Sequence, residues 1–370
     1  MIVLIRCNNI VSDSRAKKYI DFYQRQGYNY KIIAWDRIGE GVKLPHTIYC
    51  PAKSQYNQGG IKAIIDRLKW MYFIICTLFS MKDNLKIHAC DLDAAFPAVI
   101  YKMLSRRKNY VLFDVFDWIS DTLYNQGIIV SLVFKIMEWI SVKKANHIII
   151  CEQERESQIP YNISNKFSVL PNIPTFTYTD FLFPDKDCYF NNKLYTISYV
   201  GGFTEDRCLK QLIQGAAKGA YNLCIAGYGC MSILNEIERN KKCKNLKYFG
   251  KVTYEKGLRI MYNSDLIYAM YSKVNPNHLY AAPNKYYEAM FVGKALITTN
   301  GILLSNKVVS NKIGYGIDES DDALINLIEK LENKDILEKS ENASKMWEKF
   351  KATTELYLQQ TYTKVFINVH

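Results

Sequence analysis

Short runs of consecutive apolar residues alternate along the chain with segments whose apolar positions recur every three or four residues. "IVLIRC" (2–7), "YKIIAW" (30–35), "LKIHACD" (85–91), "NYVLFDVFD" (109–117) and "NHIIICEQE" (146–154) are compact apolar runs ending in polar residues. Strands of a parallel sheet covered on both faces have this appearance. Between the first two, "SRAKKYIDFYQRQG" sets Ala16, Tyr19, Ile20 and Tyr23 at helical spacing, with Ser14 suited to the N-cap and Gly27 to the C-terminal turn. A further helix runs through "AFPAVIYKMLSRR". The period is lost at 169–192, which holds three of the nine prolines and reads as an interdomain linker. The alternation then resumes with "LYTISYVGG" (194–202), a helix at 206–218, "NLCIAGYG" (222–229), a helix at 230–240, "LKYFGKV" (246–252) and "SDLIYAMYS" (264–272). "PNKYYEAMFVGK" predicts a short helix leading into the strand "ALITT" (295–299), then a helix through "DDALINLIEKLEN" and a long amphipathic helix over 341–366. Alternating strands and helices at this spacing predict an α/β fold of two tandem Rossmann-like domains, 1–185 and 186–354, facing a cleft. Ligands of such sheets bind beyond the carboxyl ends of the strands.

The 370 residues carry a formal net charge of +12, of which +8 falls within residues 1–172. A basic surface attracts nucleic acid, anionic lipid or phosphorylated ligands alike. No basic tract is interleaved with aromatics, so nucleic acid is not expected as a partner. The densest cluster, Arg106, Arg107 and Lys108, reads as a solvated helix end. Ten cysteines are scattered without a single CxxC pair, the mark of free thiols in a reducing, cytoplasmic setting. No His, Cys and Asp residues stand at metal-ligand spacing, and no nucleophile elbow is present, so neither a metal nor a resident cofactor is expected. His88 and His147, on strand patterns, read as core residues.

The chemistry concentrates in the second half. In "PNKYYEAMFVGK", Pro283 suits a first helical turn, whose free N–H groups and dipole favour an anion, most simply a phosphate. Asn284 and Lys285 add donors and positive charge, and Glu288, one turn further in, could accept bonds from ribose hydroxyls. An ordinary capped helix with Glu288 in a surface ion pair is the alternative. "YVGGFTEDRCLKQL" supplies Gly201 and Gly202 for close backbone approach, and Arg207 and Lys210 for a phosphate at a helix start. "IAGYG" adds Gly227 after a strand.

In order and spacing, "YVGGFTEDRCLKQL", "CIAGYG", "YFGKVTYEK", "YNSDLIYAMYS" and "PNKYYEAMFVGKALITT" resemble the family 4 glycosyltransferases of GT-B fold. "IHACDLDAAFPAVIYKM", "LFDVFDWISD" and "ANHIIICEQE" extend the resemblance through the first half. It implies a C-terminal helix, about 355–370, that crosses back to the N-terminal, acceptor-binding domain, and a nucleotide-sugar-binding C-terminal domain. It implies retaining, metal-independent sugar transfer from a nucleotide sugar, a co-substrate rather than a cofactor. The second Glu of the family's Glu-x7-Glu motif falls on Glu288, and its phosphate-binding cation on Arg207, with Lys285 a second. The segment containing Val252 would line the base, and the loop "NNIVSDSR" would present Asp13 and Arg15 to donor and acceptor.

Two positions depart from the family pattern. Its first Glu would stand where the chain has Tyr280, with Asn277 and His278 as substitutes for sugar contact or as plain loop residues. Its His near the reacting carbon is matched by Phe116, flanked by Asp114 and Asp117, either a catalytic carboxylate or a helix cap. A sugar-nucleotide epimerase and a non-catalytic nucleotide-sugar-binding partner of a polysaccharide assembly complex are therefore the competing readings. The acceptor implied is a glycan or lipid-linked oligosaccharide of surface polysaccharide synthesis (capsule or O-antigen). "IKAIIDRLKWMYFIICTLFSMK" (61–82) flanks apolar surface with Lys62, Arg67 and Lys69, as in a helix lying at the inner face of an anionic membrane or in a core helix with one solvated face. "GIIVSLVFKIMEWISVKK" (127–144) reads as a core helix.

Overall fold

The computed structural model describes the chain except residues 9, 11, 12, 38, 40–42, 55–59, 124–126, 175–181, 352 and 370. Part of the loop "NNIVSDSR" and the middle of the proline-bearing linker thus lie outside the described residues. The chain divides into two units, Met1–Asn172 with Thr353–His370, and Ile173–Ala352.

The first unit contains β1 (Ile2–Arg6), α1 (Ser14–Arg25), β2 (Tyr30–Ala34), β3 (Thr47–Tyr49), α2 (Gly60–Ser80), β4 (Lys86–Cys90) and α3 (Leu92–Leu104). It continues with β5 (Tyr110–Val115), a short α4 (Ile119–Thr122), α5 (Ile128–Lys144), β6 (His147–Ile150) and β7 (Phe167–Val169). All seven strands are parallel, in the order β3-β2-β1-β4-β5-β6-β7. The period of two in a strand explains the continuous apolar runs. In β1, Val3 and Ile5 join the core under α2, α3 and α5, while Ile2 and Leu4 join the core under α1. Helix α1 is capped by Asp13, whose side chain accepts from the N–H of Ala16, and not by Ser14, which is already its first residue.

The second unit contains β8 (Thr196–Phe203), α6 (Leu209–Ala217), β9 (Asn222–Gly229), α7 (Met231–Arg239), β10 (Leu246–Tyr248), α8 (Tyr254–Tyr262) and β11 (Leu266–Ala269). Then follow α9 (Asn284–Val292), β12 (Ala295–Thr299), α10 (Leu303–Ser310), β13 (Gly314–Ile317), α11 (Ala323–Lys330) and α12 (Asn333–Phe350). Its six parallel strands run β10-β9-β8-β11-β12-β13. Both sheets therefore reverse direction beside their first strand, between β1 and β4 and between β8 and β11, which opens a crevice at the carboxyl edge.

The helix expected over 341–366 is not continuous. Helix α12 ends at Phe350, and after it come α13 (Thr353–Leu356) and a π-helical stretch, Tyr357–Ile367, that belongs to the first unit. Leu358, Tyr362 and Phe366, four residues apart, are buried against α1 and β4. The Tyr362 hydroxyl bonds the Tyr23 hydroxyl and lies 2.8 Å from His88 Nδ1. Tyr110 and Lys86 bond the carbonyls of Val365 and Ile367. His147 faces the Ser168 hydroxyl at 2.9 Å.

The helix over 127–144 also differs from its reading as core. Phe134, Glu138, Ser141 and Val142 face inward, but Ile128 and Ile129 are 88% and 80% exposed. Its inward face packs on α3, and no described element covers the outward one.

Candidate functional site

A helix that follows a parallel strand begins at that strand's carboxyl edge. In the second unit this brings the starts of α6, α8 and α9 to one rim, with the loops after β8 and β11 meeting at the switch point.

The loop after β8 is a 3-10 turn, Glu205–Arg207, followed by Cys208 in the left-handed region (φ 53°). That break places Arg207 ahead of α6 rather than in its first turn, where Lys210 sits. Lys210 pairs with Glu205 at 3.1 Å, both half-exposed, so the two cations do not act as one group. Arg207 lies over the Tyr271 ring, 4.0 Å from its centroid. Its Nη1 is buried and has no hydrogen-bond partner among the described residues. Asp206 beside it ties the two loops together. Its carbonyl accepts from Ser272 N–H (2.9 Å) and its carboxylate from Asn275 (3.1 Å). Burial would raise the Asp206 carboxyl, but the Thr204 hydroxyl and Arg207 hold it below its usual range.

Asn277 and His278, expected near a sugar, serve the loop instead. Both are buried in the 3-10 turn Pro276–Tyr280. The Asn277 N–H donates to Asn275 Oδ1 (3.1 Å), and His278 Nδ1 lies 2.8 Å from the Ser272 carbonyl. Tyr280 ends that turn and is half-buried.

Helix α9 starts at Asn284 with Pro283 as its N-cap, one position earlier than a first-turn proline. Glu288 is 2% exposed. Its carboxylate accepts from Lys285 Nζ at 2.7 Å and from the Tyr254 hydroxyl at 3.0 Å, which joins the first turn of α8 to the second turn of α9. The Lys285–Glu288 ion pair is thus buried, not a surface pair. Val252, just before α8, is half-buried against Gly257.

The glycines serve the backbone. Gly201 and Gly202 continue β8, in register with Gly227 and Tyr228 of β9. A Cβ on Gly227 (φ +148°) would lie 1.8 Å from the Gly201 carbonyl oxygen. The Gly227 N–H bonds the Gly250 carbonyl, so it is not left for a ligand, and the Gly227 carbonyl accepts from the Tyr248 hydroxyl. Gly227→Ala is expected to cost at least about 3 kcal/mol, since backbone blocks the new methyl where ordinary overpacking meets movable side chains. Thermal melting checks this, and an unchanged Tm contradicts it.

At the first unit's switch point, the end of β1 meets the end of β4. Arg6 Nε bonds Asp13 (2.6 Å) and its Nη1 pairs with Asp91. Asp91 in turn accepts from the N–H groups of Phe116 (3.0 Å) and Asp117 (3.2 Å) and so sets the loop after β5. Asp13 caps α1 with one oxygen and holds Arg6 with the other. Arg15 is 5% exposed and pairs with Asp114, while its Nε and Nη1 have no partner among the described residues. The Phe116 ring lies 4.2 Å from the Arg6 guanidinium carbon and 4.0 Å from that of Arg15.

The two aspartates flanking Phe116 part company. Asp117 is exposed, 3.8 Å from Arg155. Asp114 is fully buried and accepts from Arg15, from the Tyr19 hydroxyl (2.8 Å) and from His88 Nε2 (3.1 Å). Burial alone would raise its carboxyl, but Arg15 and then His88 hold it down at about 2. Asp114 is therefore a buried anchor for α1 and not a group at a reacting carbon. The same network engages the one potential metal triad among the described residues, His88, Cys90 and Asp114.

Sequence reading missed Arg6, Asp91, Asp206, Tyr254 and Tyr271. Each acts through a partner distant in the chain, and only the short "NPN" turn signal at 275–277 hinted at any of them.

Residues 185–350 match the sequence profile of the family "Glycosyl transferases group 1". No curated protein sequence matches the chain. Among solved structures, sucrose-phosphate synthase from Thermosynechococcus elongatus is similar with a TM-score of 0.75 at 14% identity, over 100% of this chain and 99% of the other. WaaG, a glycosyltransferase involved in lipopolysaccharide biosynthesis, gives a TM-score of 0.66 at 13% identity over 99% of both chains. Anabaena HepE in complex with UDP gives 0.63 at 13% identity, over 98% of this chain and 99% of the other. The chain thus has the GT-B fold of two Rossmann-like domains, and its second unit carries the group 1 glycosyl transferase match.

Proposed function

We propose that the chain is a retaining glycosyltransferase of family 4 that moves a hexose from a nucleoside diphosphate sugar to a glycan or lipid-linked acceptor of surface polysaccharide, such as capsule or O-antigen. The observation that carries this reading is Arg207. It is a buried-edge guanidinium at the switch point, stacked on Tyr271 and with a nitrogen unspent, inside the segment that matches group 1 glycosyl transferases. Lys285 and the N–H groups of α9 supply a second positive feature on the same rim.

In this reading the diphosphate binds at that rim. Negative charge grows on its oxygens as the glycosidic bond breaks, and Arg207, Lys285 and the α9 terminus stabilise it without a metal. Glu288, oriented by Tyr254 and Lys285, accepts from the ribose hydroxyls. Gly201, Gly202 and Lys210 border the phosphates, Gly227 shapes the neighbouring strand, and Val252 lies toward the base. The acceptor hydroxyl attacks on the face the diphosphate leaves, and its proton passes to the departing phosphate. Exposed Asp117 is the residue of the first unit left to meet an acceptor, since Arg15 is buried and paired with Asp114. Tyr280 in place of a carboxylate means that the sugar is held differently from the family pattern.

UDP is the first nucleotide to test, because HepE was solved with it. Calorimetric titration with UDP, and UDP release from UDP-hexoses, check the reading; absence of binding by UDP and every other nucleoside diphosphate overturns it. Conversion of the free sugar nucleotide to an epimer favours an epimerase, and binding without release favours a non-catalytic partner. Glu288→Gln is expected to raise the donor KM by roughly 10–100-fold, the loss of a charge-assisted hydrogen bond. An unchanged KM removes Glu288 from the ribose.

A further inference from the structure

We infer that the outer faces of α2 and α5 together form a docking surface for an anionic lipid bilayer. On α2, Ile65, Leu68, Tyr72 and Phe79 follow one helical stripe and are exposed, Tyr72 to 70%. On α5, Ile128, Leu132, Ile136 and Trp139 form a second exposed stripe. Arg67 of α2 joins the two: its guanidinium lies 5.3 Å from the Phe134 ring of α5 and 3.6 Å from Asp93 at the start of α3. Both helices pack on α3 over the same core, so the stripes lie on the outer side of one helical layer. Scattered exposed apolar residues need no explanation, but two stripes of this length on one helical layer do.

The charges choose the occupant. Asp66 and Glu138, the acidic residues of α2 and α5, are turned inward and buried. The exposed charges on both helices are lysines: Lys62, Lys69, Lys135, Lys143 and Lys144. An apolar stripe with a wholly basic fringe suits a layer of acyl chains under anionic headgroups. It disfavours a second copy of the chain, because like charges would be set against each other. Lys143 lies 4.8 Å from the Trp139 ring, an aromatic and a long cation side by side as at membrane interfaces. Among the described residues no helix is long and apolar enough to cross a membrane, so the contact is interfacial. A lipid-borne acceptor would be met at this surface; that clause alone rests on the transferase reading.

The test uses the full chain and vesicles of phosphatidylcholine with and without phosphatidylglycerol. Sedimentation with the anionic vesicles is expected, with much weaker binding to the neutral ones. Lys62→Gln with Lys135→Gln is expected to lower the partition coefficient about 25-fold, near fivefold per lysine. Ile128→Glu with Leu132→Glu is expected to lower it by more than about tenfold. All four positions are exposed, and unchanged melting curves show that each variant folds. Failure of the parent chain to bind anionic vesicles, or binding that ignores both variant pairs, overturns the proposal. So does a dimer in sedimentation velocity that Ile128→Glu with Leu132→Glu dissociates. UDP titration on the same samples separates the two ideas, since vesicle binding without UDP binding removes the transferase reading and leaves the surface standing.

Discussion

Arg207→Ala is expected to lower kcat for sugar transfer by about 10²–10³-fold, the typical cost of removing one preorganised charge from a developing anion. The fold is expected to survive. Among the described residues Arg207 makes no close ion pair, with Asp206 4.0 Å away, and its main contact is the Tyr271 ring. An exposed to half-buried cation–π contact contributes about 0.5–2 kcal/mol, a shift of a few degrees in Tm for a unit of this size. Large loss of turnover with a small loss of stability is therefore the signature. Arg207→Lys keeps the charge but not the planar fork, and is expected to recover only part of the rate. Full turnover by Arg207→Ala takes the phosphate role away from this residue and leaves Lys285 and the α9 terminus to carry it.

Asp114→Asn acts the other way, on stability. The carboxylate is fully buried and Arg15 is 5% exposed, so the substitution leaves a guanidinium without its counter-charge. Breaking such a pair costs about 3–5 kcal/mol. The pH dependence gives a second check. Its carboxyl is held at about 2 in the folded chain, below the ordinary 3.8, by Arg15 and His88 acting against burial. A depressed carboxylate contributes stability above its unfolded value, and that contribution is lost as pH falls from about 3.8 toward 2. At 1.36 kcal/mol per unit it amounts to a contribution on the order of 2 kcal/mol. Urea unfolding at several pH values should therefore show the gap between parent and variant narrowing below pH 3.8 or so. A variant that is fully stable yet inactive would return Asp114 to the chemistry.

Each strand that the apolar runs announced is present, because a strand buried on both faces needs apolar residues at every position and so betrays itself in sequence. The strands missed were those without such a run. β13 is Gly-Tyr-Gly-Ile, and Gly314 is needed there because a Cβ would lie 1.9 Å from the Leu296 carbonyl oxygen. β3 and β7 are three-residue edge strands. Gly227 looked like a ligand-approach glycine, whereas the approach is made by the neighbouring strand. Glu288 and Arg207 were legible from their place after strands, but Tyr254 and Tyr271, which orient them, were not.

The linear pattern by itself determined the alternation of strands and helices, the doubling of the Rossmann-like unit and the positions of the helix entrances, because local periodicity and capping need no distant partner. Only the tertiary structure decided that Asp114 is an anchor, that His278 holds a loop, that Glu288 is buried with Lys285, and that the face of 127–144 stays uncovered. Those outcomes depend on which side chains the sheet order brings together across scores of residues, and on what is left without a neighbour once the layers have packed.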